Sequence, residues 1–119
     1  MAGIYDITIE QGATFQFSVT VTGVDMTSYT ARMTGRASRV NSLTLAPVST
    51  AVFELTSGDG DISIAPAANS VMTITIPAAD TAAFTAPQQG VYDLEYEAPG
   101  GVVTRILEGR FYVTAEATT

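Results

Sequence analysis

The sequence predicts an all-β fold, an antiparallel β-sandwich of about seven to nine strands with one short helical turn. Three observations predict it. Apolar and polar residues alternate at period two over much of the chain, the pattern of strands with one buried face. Gly, Pro, Asn and Asp clusters cut these runs into short pieces. The length, 119 residues, fits one domain spanning 1–119.

The elements follow in chain order. Ile7 and Ile9 belong to a short run ahead of a turn at Gln11-Gly12. Phe15, Phe17, Val19 and Val21 alternate with Gln16, Ser18 and Thr20 and mark a strand. After a loop over Gly23–Ser28, Ala31 and Met33 alternate with Thr30, Arg32 and Thr34 in a third strand. The segment Arg39–Thr50 is irregular, and Pro47 argues against a central strand because it cannot donate to a ladder. A short strand is expected over Val52–Leu55, then a turn at Ser57-Gly58-Asp59-Gly60, with Ile62 and Ile64 on one face beyond it. Asn69-Ser70 turns the chain into Met72, Ile74 and Ile76.

Pro77–Phe84 is the one helical candidate, with Pro at its start and Asp80 where the helix dipole favours an acid. Val91–Glu97 places Tyr92, Leu94 and Tyr96 on one face and Asp93, Glu95 and Glu97 on the other. Pro99-Gly100-Gly101 reads as a hairpin turn, returning through Val102–Leu107 and Arg110–Thr114. Glu108-Gly109, between those two runs, reads as a bulge in which glycine takes a positive φ. Met1–Gly3 and Thr114–Thr119 are candidate extended arms. The Phe15, Phe17, Val19, Val21 face is expected to pack against Tyr92, Leu94 and Tyr96.

Composition narrows the function. The chain has no Cys, His, Trp or Lys; its five cations are all Arg, and twelve acids give a net charge of −7. Such a surface repels phosphate backbones and anionic lipid, so neither nucleic acid nor membrane is expected as a partner. Only 14% of residues are charged, against about 25% in an ordinary domain. A Thr- and Ser-rich outer β face accounts for that, and so does a subunit that buries its outside against neighbours. The start, Met1-Ala2-Gly3-Ile4-Tyr5-Asp6, lacks the basic and apolar stretches of a signal peptide. Assembly in a cytoplasm is the expectation.

The chemistry on offer is sparse. Without His or Cys, Ser–His and Cys–His catalysis and His/Cys zinc sites are excluded. Asp93, Glu95 and Glu97 share a strand face and could supply an acid and a base, but alternation alone explains them. Asp59-Gly60-Asp61 suggests calcium, yet lacks the further acids and bidentate Glu of a calcium loop and has ordinary turn composition. Arg32 and Arg36 are expected opposite Glu95 or Glu97, and Arg105 and Arg110 opposite Asp93, as cross-strand pairs; an Arg-rich contact patch is the other reading. No catalytic residue, cofactor or metal site is assigned, and an enzyme is not expected.

Two resemblances add to this. Pro77-Ala78-Ala79-Asp80-Thr81-Ala82 resembles the helical turn between strands E and F of immunoglobulin-type domains, and Tyr92, two residues before Leu94, resembles their tyrosine corner. The resemblance implies an immunoglobulin-like sandwich, although the disulfide and core Trp are absent and Ala82 lies further from Tyr92 than in that family. Separately, Tyr5–Phe15, Met26–Met33, Gly90–Tyr96, Val103–Arg110 and Val113-Thr114 together resemble small virion proteins of tailed bacteriophages, similar to the N-terminal domain of upper baseplate proteins. That resemblance runs nearly end to end. It implies a non-enzymatic structural subunit or adaptor of the tail, baseplate or neck. Its partners would be other virion proteins and copies of itself. A capsid decoration or a host-surface-binding immunoglobulin-like module is the alternative. The termini and the loop Arg36–Pro47 are the expected contacts.

Overall fold

A computed structural model describes residues 3–38 and 47–117. The order is β1 (Gly3–Ile4), β2 (Ile7–Glu10), β3 (Phe15–Val21), β4 (Thr30–Ser38), β5 (Pro47–Thr56), β6 (Ile62–Ala65), β7 (Ser70–Ile76), α1 (Ala78–Ala82), β8 (Gln88–Glu97) and β9 (Val103–Thr114). The fold is all-β, with two sheets. The larger runs β1-β9-β8-β4-β5, with β2 also on β9; the smaller runs β3-β7-β6.

The smaller sheet and the β9-β8-β4-β5 part of the larger are antiparallel. The expectation of wholly antiparallel pairing is corrected at one edge: β1 and β2 both run parallel to β9, pairing Gly3 with Leu107 and Ile7 with Phe111. Alternation fixes which face a strand buries, but not which neighbour it takes or in which direction. Consecutive β1 and β2 are separated by Tyr5 and Asp6, where the chain steps over without leaving β9. There the Tyr5 amide donates to the Glu108 carbonyl at 3.0 Å.

The inward residues of both sheets meet in one hydrophobic cluster. Ile7, Ile9, Met33, Phe53, Leu55, Tyr92, Leu94, Phe111 and Val113 come from the larger sheet; Ile62, Met72, Ile74 and Ile76 come from the smaller. Phe15, Phe17, Val19, Val21 and Tyr96 are half-buried against it, so the two apolar faces expected to form the core both contribute. Each fully buried side chain of this size is worth about 1.5–3 kcal/mol of transfer free energy.

Pro47 opens β5, which pairs with β4 alone among the described strands, the edge position that a proline tolerates. β5 is also longer than Val52–Leu55, because the ladder with β4 continues through register shifts at Gly35/Arg36 and Arg36/Ser38. Of the expected contact loop Arg36–Pro47, Arg36–Ser38 belong to β4 and Pro47 to β5, and residues 39–46 lie outside the described residues. α1 occupies the middle of the expected Pro77–Phe84 segment, with Pro77 as the residue before its first turn.

The bulge falls elsewhere than expected. Pairing across Gly109 is unbroken, Tyr92 opposite Gly109 and Val91 opposite Arg110, and the register shift lies at Leu94/Glu95, where Ile106 is the extra residue. Gly109 is not among the glycines with positive φ. A Cβ there would instead collide with the carbonyl oxygen of Tyr5 and approach Asp6 Oδ1 to 3.1 Å. The glycine is needed because the step between β1 and β2 crosses directly over it.

Candidate interaction surfaces

Tyr92 projects from β8 into the core, and its hydroxyl donates to the Tyr5 carbonyl. This is not the bond of an immunoglobulin tyrosine corner, which returns to nearby upstream backbone. The bond goes to the chain step between β1 and β2. Burial, with the neighbouring Tyr5 and Asp6 adding to it, pushes the Tyr92 phenol well above its ordinary range. Asp6 completes the lock by accepting from the Arg110 amide at 2.9 Å.

The other end of β2, at the β2–β3 turn, is held by two polar side chains that local patterns do not announce. Thr81, fully buried in α1, donates its hydroxyl to Ala13 O at 2.8 Å and accepts from the Gly12 amide at 3.0 Å. Gln11 donates to Phe84 O at 2.9 Å and accepts from the Glu116 amide at 3.1 Å. Gly12 has φ +84, the left-handed value this turn requires. The helix, the β2–β3 turn and the segment after β9 are thus one hydrogen-bonded unit. Thr114 closes β9 opposite Glu10 and Gly3 belongs to β1, so both residues at the inner limits of the expected arms are paired.

The outer face of the larger sheet carries charge in alternating rows. Arg32 lies opposite Glu95 and is ion-paired to it. Arg105 reaches Asp93 at 3.5 Å. Glu95, and less strongly Glu97 and Asp93, raise the Arg32 guanidinium further above its ordinary value. Asp93 is shifted upward, first by burial and then by Glu95 and Glu108, with Arg105 opposing. Glu108 sits directly across from Asp93, a like-charge pair that costs stability. Of the acids considered for catalysis, Glu95 and Asp93 are thus ion-paired on the sheet surface. At the Ser57–Gly60 turn, Asp61 accepts from the Thr56 amide at 3.5 Å, while the Asp59 amide donates to Thr56 Oγ1 at 3.0 Å. These are turn-closing bonds. Among the described residues, no three acids gather as a metal cage, and no helix is long and apolar enough to cross a membrane.

The outer face of the smaller sheet is different in kind. Register places Gln16, Ser18 and Thr20 beside Thr75, Thr73 and Val71, and Ser63 and Ala65 beyond them. None of these is charged. Gln16 donates to Thr75 at 3.0 Å and Ser18 shares a 3.0 Å bond with Thr73, so these polar groups already have partners. Among the described residues, large apolar side chains are exposed at Ile4 (83%) with Tyr5 (50%), and at Val102 (67%) with Val103 (44%). The Tyr5 ring packs at a tilt against Phe17, which in turn meets Phe15, with ring centres 5.9 and 5.6 Å apart.

In sequence comparisons, no protein-family model and no curated protein matches the chain.

Proposed function

We propose that the chain is a non-enzymatic structural subunit or adaptor of a tailed-phage virion, in the tail, baseplate or neck. It acts through protein–protein contacts with other virion proteins and with copies of itself, and is assembled in the host cytoplasm. We also read the fold as an immunoglobulin-like sandwich. In that scheme β3-β7-β6 take the places of strands B-E-D, and β9-β8-β4-β5 those of G-F-C-C′. The helical turn between β7 and β8 sits where the E–F turn would.

The observation that carries the functional reading is the uncharged outer face of β3-β7-β6 on a chain of net charge −7, together with Ile4 and Tyr5 exposed at the edge of the other sheet. Interface cores are depleted of charge and enriched in aromatics. The ion-paired acids of the other sheet add nothing that calls for a substrate. The sequence resemblance supplies the virion context. The test is mass spectrometry and particle imaging of purified virions. The expected result is the protein in fixed copy number with a contact burying more than about 1,000 Å². Absence from particles would overturn the reading.

The second reading, a capsid decoration or host-surface-binding module, draws support from one feature. Thr30, Arg32, Thr56, Glu95, Glu97 and Val103 line a depression of about 200 Å³ at the Ser57–Gly60 end of the sheet. Density confined to the outer capsid, or loss of adsorption without loss of assembly on deleting the gene, would favour it.

A further inference from the structure

The described fold has four sheet edges, and three carry features that discourage pairing with another chain. β5 begins with Pro47, is kinked by register shifts and bears Glu54. β6 is four residues long. β1 and β2 are two and four residues long, broken at Tyr5-Asp6 and ended by Glu10. Short length, proline, bulges and charge are the usual means by which proteins blunt an edge.

β3 has none of them. Its seven residues, Phe-Gln-Phe-Ser-Val-Thr-Val, contain no charge, Pro or Gly, and they pair with β7 without a register shift. No second strand pairs with β3 among the described residues. Its inward side chains are correspondingly less covered: Phe15, Phe17, Val19 and Val21 are half-buried, while Met72, Ile74 and Ile76 on the adjacent strand are sealed. The sequence of β3 is also complementary to itself in the antiparallel sense. About Ser18, Phe15 meets Val21, Gln16 meets Thr20 and Phe17 meets Val19. These are aromatic–β-branched pairs on the inner face and neutral polar pairs on the outer.

We propose that β3 pairs with the β3 of a second copy, antiparallel about a two-fold axis at Ser18, joining two smaller sheets into one of six strands. A second copy is the occupant because the pattern is isologous and because this edge and face bring no like charges together on a strongly acidic chain. The proposal names one contact of the assembly subunit described above and rests on that reading only for its biological setting.

The test is sedimentation equilibrium of the full chain over a wide concentration range, with two variants. Wild type and Ser63→Lys, on the far edge of the same sheet, are expected to form dimers. Ser18→Lys places two cations at the axis and is expected to raise the dimer dissociation constant about tenfold or more. Amide hydrogen exchange needs no variant: uptake over 15–21 should fall as wild-type concentration rises, and uptake over 62–65 should not. A wild type that stays monomeric, exchange in β3 that ignores concentration, or a Ser18→Lys protein that folds and still dimerises would overturn the pairing. A monomer found in particles would end the self-pairing alone. A dimer absent from particles would end the virion reading alone.

Discussion

The Tyr92 hydroxyl and the Tyr5 carbonyl are bonded across 87 positions of sequence, joining the core of β8 to the step between β1 and β2. Replacing Tyr92 by Phe keeps the ring and removes this bond. The expected loss is about 0.5–1.5 kcal/mol, read as a lower urea midpoint at unchanged slope. Exchange of the Tyr5 amide, bonded to Glu108, should quicken more than that of Leu94.

Tyr92 also sets an alkaline limit. Its pKa is raised on folding, so the neutral phenol is favoured in the native state. The associated stability is complete below the unfolded value of about 10 and is lost as pH rises through the higher folded value. Stability measured upward from pH about 10 should fall more steeply in wild type than in Tyr92→Phe. Parallel curves would remove the claim.

Asp93 gives the opposite kind of acid-range signal from a salt-bridged carboxylate. Burial raises its pKa despite Arg105, so its contribution is greatest when protonated and declines as pH rises through the folded value. Asp93→Asn should therefore gain stability relative to wild type as pH climbs from below about 3.9. The side chain is partly exposed, so the sign of the trend is the prediction.

Thr81→Val retains shape and deletes the hydroxyl that serves Gly12 and Ala13. Loss of a buried partner should cost about 1–3 kcal/mol, while Thr81→Ser should recover most of it. Denaturant titration of the pair separates the bond from the packing.

Gly109→Ala should destabilise by about 1–3 kcal/mol, because the new methyl group is driven into the Tyr5 carbonyl. Gly100→Ala, at a position with nothing within 4 Å and no positive φ, is the control and should be nearly neutral. Melting curves of the two variants decide it.

Much of this fold was legible in period-two alternation. β3, β7 and β8 were readable because each buries one face, and the Arg32–Glu95 pair was readable because parity and opposite charge agree. What alternation omits is the choice of neighbour. Nothing local to Ile7 and Ile9 says that they join β9 in parallel. Gly109 was expected to be special for a local reason, its φ, whereas its real constraint comes from a segment more than a hundred positions away. Thr81 and Gln11 reach partners 68 to 105 positions away, so no short pattern marks them. The self-complementary edge of β3 was present in the residues, but only the strand order exposes it.

The parallel seating of β2 on β9 also governs how the domain bears load. The chain enters β2 at one end of this pair and leaves β9 at the other. Tension pulling the flanking segments apart therefore acts along the strands. The evenly spaced bonds of the parallel ladder are then strained together, in shear, instead of being peeled open one after another. A domain wired in this way resists stretching better than one whose terminal strands form an antiparallel zipper.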